Sequence, residues 1–247
     1  MTITDNGWDS RAWLEGDWLH RAPRREEIRP RLLAETRLLP WLAPQLPLPI
    51  PIPEPTENGV RHRLLVGEPL EEGSVDLGRA LGAFLRALHD VDPDEAVARG
   101  AQDARSAATE RLETQDNMRA LVLPLLPASA QRAGQELLDR IAGVNTTLVH
   151  GDLGPEHLRV HDGRITGVID WTDAHIGDPG LDLAWALHSG PAEIAKGVAE
   201  VYGVSEQLRE RAYDWHRLGP WYEVVFGIET EQPEFVESGL SGVLKRL

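Results

Sequence analysis

The chain has 247 residues, 40 acidic and 25 basic, for a formal net charge of −15. A field of that sign repels nucleic acid and anionic membranes and favours cationic small molecules, so no nucleic-acid or membrane partner is expected. Cysteine is absent, which removes disulfides, thiolate metal sites and cysteine nucleophiles. No apolar run approaches the roughly 18 residues of a membrane helix, so the expectation is a cytoplasmic globular chain of one large domain or two lobes.

Residues 11–22 alternate aromatic and apolar side chains about Glu15-Gly16-Asp17, which predicts a hairpin. Leu32, Leu33, Leu39 and Trp41 recur near helical spacing and predict a helix from Arg29 to Leu42 that carries Glu35. Pro40 marks its end, and Pro44 to Pro55 form an extended stretch that leads into the apolar run Leu64-Leu65-Val66. A lobe boundary is placed at Gly67, dividing the chain into 1–67 and 68–247. Beyond it, Leu77, Leu81, Phe84, Leu85 and Leu88 give Asp76–His89 one apolar face. Helices are also expected over 104–123 and 128–142, and a short strand over 146–149. Leu158–Val160 and Ile165–Ile169 flank the turn residues His161-Asp162-Gly163 and predict a second hairpin. The remainder, 181–247, reads as helical with breaks at Gly190-Pro191, Gly219-Pro220 and Gln232-Pro233. Only Lys196 and Lys245 are lysines, so arginine carries nearly all the positive charge.

The chemistry is concentrated in His150-Gly-Asp-Leu-Gly-Pro-Glu-His157 and Val168-Ile-Asp-Trp171. This pattern puts Asp152 and Asp170 at the mouths of adjacent short strands with an imidazole between them. One carboxylate can accept a hydroxyl proton while the other, with His157, holds Mg²⁺ against nucleotide phosphates. Phosphoryl transfer needs that positioning and charge neutralisation more than covalent chemistry.

The stretch from His150 to Leu183 resembles the signature of the aminoglycoside and macrolide phosphotransferases, through its His-Gly-Asp-Leu, Ile-Asp-Trp and Gly-Asp-Pro elements and a later Asp. The resemblance implies a two-lobed, protein-kinase-like α+β fold, with a short mixed sheet in an apparently truncated N-terminal lobe and a helical C-terminal lobe. It implies Asp152 as catalytic base, His157 and Asp170 as Mg²⁺ ligands, and His150, Asp178 and Asp182 as supports of the catalytic loop. His157 stands where most of the family has Asn, which resembles the macrolide branch. In the small lobe, Arg21 stands where kinases have the strand lysine, paired with Glu35 and touching the nucleotide phosphates. Gly7 is the only glycine of the phosphate-covering loop, whose first strand is expected to be missing. ATP or GTP is the implied donor. Trp221, Tyr222 and Glu223 on a late helix are candidates for the wall of the substrate cleft, and Glu229, Glu231, Glu234 and Glu237 cluster near them, suited to a cationic amino sugar. A small-metabolite or sugar kinase and an inactive nucleotide-binding module remain alternatives.

Overall fold

The computed structural model describes residues 2–3, 10–141 and 145–247. Its N-terminal part is a five-stranded sheet in the order β1-β2-β3-β5-β4, built from β1 (Thr2–Ile3), β2 (Ser10–Glu15), β3 (Trp18–Pro23), β4 (Glu54–Thr56) and β5 (Gly59–Arg63). Every pairing in it is antiparallel, not mixed as expected. The first strand, expected to be missing, is present as two residues, with Thr2 opposite Leu14 and Ile3 opposite Trp13. The predicted hairpin forms about Gly16-Asp17. Gly7 lies outside the described residues.

Helix α1 (Arg29–Leu42) crosses the sheet, and Leu32 and Ile28 pack on Val60. Pro40 does not end it; the helix runs two residues further. The apolar run Leu64-Leu65-Val66 forms no strand, and Leu64 and Val66 are exposed. It connects the sheet to the rest of the chain, and Gly67 ends it at φ +138°. A Cβ there would stand 2.7 Å from Thr166 Oγ1 and 2.9 Å from the Val160 backbone, so only glycine fits this close approach.

After Gly67 the chain is mainly helical. It comprises α2 (Val75–His89), α3 (Pro93–Ala98), α4 (Ala104–Leu121), α5 (Ala128–Arg140), α6 (Pro179–His188), α7 (Ala192–Tyr202), α8 (Glu206–Glu229) and α9 (Pro233–Arg246). Two small antiparallel sheets interrupt them. In one, β6 (Glu68–Pro69), β8 (Leu158–His161) and β9 (Arg164–Val168) lie in the order β6-β8-β9; in the other, β7 (Thr147–Val149) pairs with β10 (His175–Gly177). The β8-β9 turn is the predicted one, with Asp162 and Gly163 both at positive φ. One core forms where α2, α6 and α7 meet these strands, around Phe84, Leu88, Trp171 and Leu183. A second joins α4, α5, α8 and α9 around Met118, Leu138, Trp221 and Val243. No helix among the described residues is long and apolar enough to cross a membrane.

Helix α8 runs through Gly219-Pro220, where a break was expected. Proline cannot donate to the carbonyl four residues back, here that of His216. Arg246 Nη1 donates to the same oxygen at 2.7 Å and replaces the missing backbone hydrogen.

Candidate active site

Strand β7 delivers the chain into the loop His150–His157. The Asp182 carboxylate, fully buried on α6, accepts the backbone N–H of His150 at 2.8 Å and of Gly151 at 3.0 Å, which fixes the loop. Burial alone would raise its carboxyl, but His89, His150 and the Gly151 N–H bring it below the ordinary range. His89 Nε2–H donates to Asp182 Oδ2 at 3.2 Å, and His89 Nδ1 then accepts from Tyr202 at 2.7 Å. The first turn of α6 is capped by Asp178, which accepts from Gly180 N, from Arg211 and from Trp215 Nε1.

The His150 ring is buried, and burial lowers its pKa, so it is neutral at pH 7. Its Nε2–H donates to the Ile169 carbonyl at 2.9 Å, and Nδ1 accepts the Asp152 N–H at 3.3 Å. It therefore ties the loop carrying Asp152 to the strand end carrying Asp170. His157 donates through Nδ1–H to the Asp152 carbonyl at 2.6 Å, which leaves the Nε2 lone pair facing Asp170 Oδ2 at 3.8 Å. Asp152 Oδ2 lies 3.8 Å from Nδ1 of the same ring. The imidazole thus stands between the two carboxylates, as the sequence predicted. The two strands that lead to them, β7 and β9, belong to different sheets and are not neighbours.

Asp152 keeps 61% of its side chain open to solvent. Protein packing around it raises its carboxyl above the ordinary value, His157 and His150 oppose that rise, and solvent access moderates it. Asp170 is the reverse case. Burial would raise it, but Arg21, then His157 and His150, hold it below the usual carboxylate range. Its backbone is left-handed, φ +64°, an unusual conformation for a side-chain-bearing residue that its partners hold in place.

Arg21, on β3, uses all five of its N–H groups inside the protein. Nε donates to Ser10 Oγ, Nη1 to both Glu35 oxygens at 3.1 Å, and Nη2 to Asp170 Oδ1 at 2.8 Å and Thr172 Oγ1 at 2.6 Å. Burial raises the Glu35 carboxyl above its ordinary value, and the three bonds it accepts, two from Arg21 and one from Thr172 Oγ1, oppose that rise. A phosphate contact from Arg21 therefore requires exchange of one of these bonds. Thr172 was not singled out in the sequence; a hydroxyl two residues after Asp170 is the only local signal for it.

Among the described residues no three His, Asp or Glu side chains gather to hold a metal ion. His157 Nε2 and Asp170 Oδ2 nevertheless fit Mg²⁺ as two protein ligands, because that ion keeps several waters and is completed by substrate phosphates.

The expected substrate wall is divided. Trp221 is fully buried in the second core, against Gly134 and Leu123, so it lines no cleft. Tyr222 is 46% exposed; burial of its hydroxyl raises its pKa, with Arg111 opposing the rise and Asp173 adding to it. Glu223 is half-buried and close to Arg246 at the C-terminal helix, and Glu229, Glu231, Glu234 and Glu237 are exposed around the turn from α8 to α9. A cavity of about 840 Å³ lies behind α1, lined by Glu35, Leu38, Trp171 and Thr172; Asp152 and His157 are not part of its wall.

An aspartate on the β7 loop, a second aspartate across an imidazole from it, and a buried strand arginine paired with a helix glutamate sit together on a protein-kinase-like α+β fold. The chain belongs to the phosphotransferase enzyme family, whose model matches residues 2–221. It is 33% identical over 130 residues to the viomycin phosphotransferase of Streptomyces vinaceus, covering 48% of this chain and 45% of that one. It is 26% identical to YcbJ of Bacillus subtilis, an uncharacterised protein, over 92% of this chain and 82% of that one. Among solved structures it is similar to the apoenzyme of macrolide 2'-phosphotransferase MphH from Brachybacterium faecium, with TM-score 0.76, 25% identity and coverage of 98% and 90%. A GDP complex of aminoglycoside 2'-phosphotransferase-IIIa shares the fold at TM-score 0.83 and 19% identity, covering all of this chain and 92% of that one.

Proposed function

We propose that this phosphotransferase moves the γ-phosphoryl group of a purine nucleoside triphosphate, ATP or GTP, to a hydroxyl of an antibiotic of the macrolide or aminoglycoside type. The observation that carries the reading is the His157 ring standing 3.8 Å from both the Asp152 and Asp170 carboxylates. In this reading Asp152 orients the acceptor hydroxyl and takes its proton as the new O–P bond forms and the nucleoside diphosphate leaves. A carboxyl raised above its ordinary value suits that role better than an unperturbed one. His157 and Asp170 would hold Mg²⁺, which when bound supplies charge neutralisation of the phosphates. Arg21 and Glu35 set the position of Asp170, and residue 67 divides the lobes between which the nucleotide lies. Tyr222 contributes to the acceptor cleft, where the open carboxylate of Asp152 favours a cationic molecule.

The test is mass-resolved transfer with Mg²⁺, ATP and GTP in separate reactions, and a panel of macrolides, aminoglycosides and simple sugars. A gain of one phosphate on an antibiotic, lost in Asp152→Ala by two to four orders of magnitude in kcat, is the expected result; native turnover by Asp152→Ala would overturn the assignment of the base. Phosphate on a sugar alone would move the reading to a metabolite kinase.

A further inference from the structure

The partners of Arg21 are not equally replaceable. Nε donates to Ser10 Oγ at 3.3 Å and Nη1 to both oxygens of Glu35, and these two partners are buried. Nη2 donates to Asp170 Oδ1 and to Thr172 Oγ1, and the Asp170 side chain is 41% open to solvent. A phosphate arriving from solvent therefore meets the Nη2 end, and the bond it replaces is the one to Asp170. That exchange would strip Asp170 Oδ1 of the cation that holds it, while Oδ2 faces His157 Nε2 at 3.8 Å. A carboxylate anchored at one oxygen presents the other in a fixed direction, and one anchored at neither rotates.

Thr172 stands where a replacement donor is needed. Its oxygen accepts from Arg21 Nη2 at 2.6 Å and lies 3.0 Å from Glu35 Oε1 and 3.3 Å from Asp170 Oδ1, so its single hydrogen can serve either carboxylate. Turning from one to the other takes a rotation about the Cβ–Oγ bond and displaces no heavy atom. Glu35 can release this bond, because it keeps the two from Arg21 Nη1. Asp170 gains a donor as it loses one. The second hydrogen of Arg21 Nη2 stays on Thr172, so a relay from Arg21 through Thr172 to Asp170 takes the place of the direct pair. Threonine suits this role, since its branched Cβ restricts χ1 and the buried side chain keeps Oγ1 in place while the hydrogen turns.

We infer that Thr172 is a positioning residue: its hydroxyl turns from Glu35 to Asp170 when Arg21 Nη2 takes a nucleotide phosphate, and so keeps Asp170 aimed towards His157 while the phosphate is bound. The inference rests on the reading of a purine nucleotide as donor, and adds to it which bond the phosphate replaces and what makes good the loss. The test compares equilibrium binding of ADP and of GDP, each with Mg²⁺, with binding of Mn²⁺ alone followed by electron paramagnetic resonance. Full chains with Thr172 unchanged, Thr172→Val and Thr172→Ser are used. Mn²⁺ alone reaches Asp170 without drawing Arg21 away, so it registers a general loss of structure at the site and not the hydroxyl rotation.

Thr172→Val should weaken binding of whichever nucleotide the unsubstituted chain takes by roughly tenfold or more, and binding of Mn²⁺ alone by no more than about threefold. Thr172→Ser keeps the hydroxyl and should stay within about threefold of the unsubstituted chain for both. Thr172→Ala also removes the hydroxyl and serves in place of the valine chain if that does not fold. Unchanged nucleotide affinity in Thr172→Val would overturn the proposal, as would equal losses for nucleotide and Mn²⁺, or a serine chain that binds nucleotide no better than the valine chain. If the unsubstituted chain takes neither nucleotide, the donor reading falls and this proposal with it; if it takes one and the valine chain binds it equally well, the proposal alone falls.

Discussion

Thr172 has one hydroxyl hydrogen and three charged neighbours. Its oxygen accepts from Arg21 Nη2 at 2.6 Å, and its hydrogen can go to Glu35 Oε1 at 3.0 Å or to Asp170 Oδ1 at 3.3 Å. Among the described residues no other side chain hydrogen-bonds every member of the Arg21, Glu35 and Asp170 set. Thr172→Val keeps the shape and removes the oxygen, which leaves an Arg21 N–H unpaired in a site that is 7% exposed. A loss of about 1–3 kcal/mol is expected in urea denaturation, with most of it restored in Thr172→Ser. A valine variant as stable as the parent would mean that the hydroxyl adds nothing to the set. Arg21→Met removes the cation that pairs with two carboxylates, one of them buried, and should cost about 3–5 kcal/mol by the same measurement.

At the scale of elements, the periodic helices were legible before any coordinates. The bounds of α1 are those read from Leu32, Leu33, Leu39 and Trp41, and α2 begins one residue before the expected position because Ser74 accepts from Leu77 N as its N-cap. What was not legible depends on distant partners. Helix α3 is only six residues long and has no apolar period to detect. The continuity of α8 through Pro220 depends on a side chain 30 residues away, Arg246, whose Nη1 bonds the orphaned His216 carbonyl. Replacing Arg246 by Met should therefore destabilise the chain by about 1 kcal/mol. It should also bend α8 near residue 216, a change that amide hydrogen exchange across 214–222 would register as faster exchange. The residues of the loop from His150 to His157 were legible because they are contiguous. Thr172 was not, since a single hydroxyl looks like any other until its neighbours are known.

Across the whole molecule, acid is the predicted weakness. The rings of His62, His150 and His175 are each held below the ordinary imidazole pKa, burial being the first cause in every case. An unfolded chain takes up protons on these rings near pH 6.5 while the native chain does not, so the unfolded state binds more protons there and stability falls as pH drops through that range. Each ring kept neutral costs at most about 1.4 kcal/mol per pH unit below 6.5. Asp170 and Asp182, both lowered, lose their contribution only at more acidic pH, as it falls through their native values. The urea midpoint at pH 5.5 should lie below that at pH 7.5; an unchanged or higher midpoint would contradict the neutral-ring description. The Arg21 network has a further consequence for the order in which the molecule is made. Arg21 meets Glu35 after 14 residues, but Asp170 and Thr172 only after 149 and 151. At the pace of a ribosome, roughly 5–20 residues per second, the first sheet waits on the order of ten to thirty seconds with an arginine whose last partners have not been synthesised. During that interval the nascent N-terminal lobe is an incomplete structure, and it is the stage of biogenesis at which a chaperone has the most to protect.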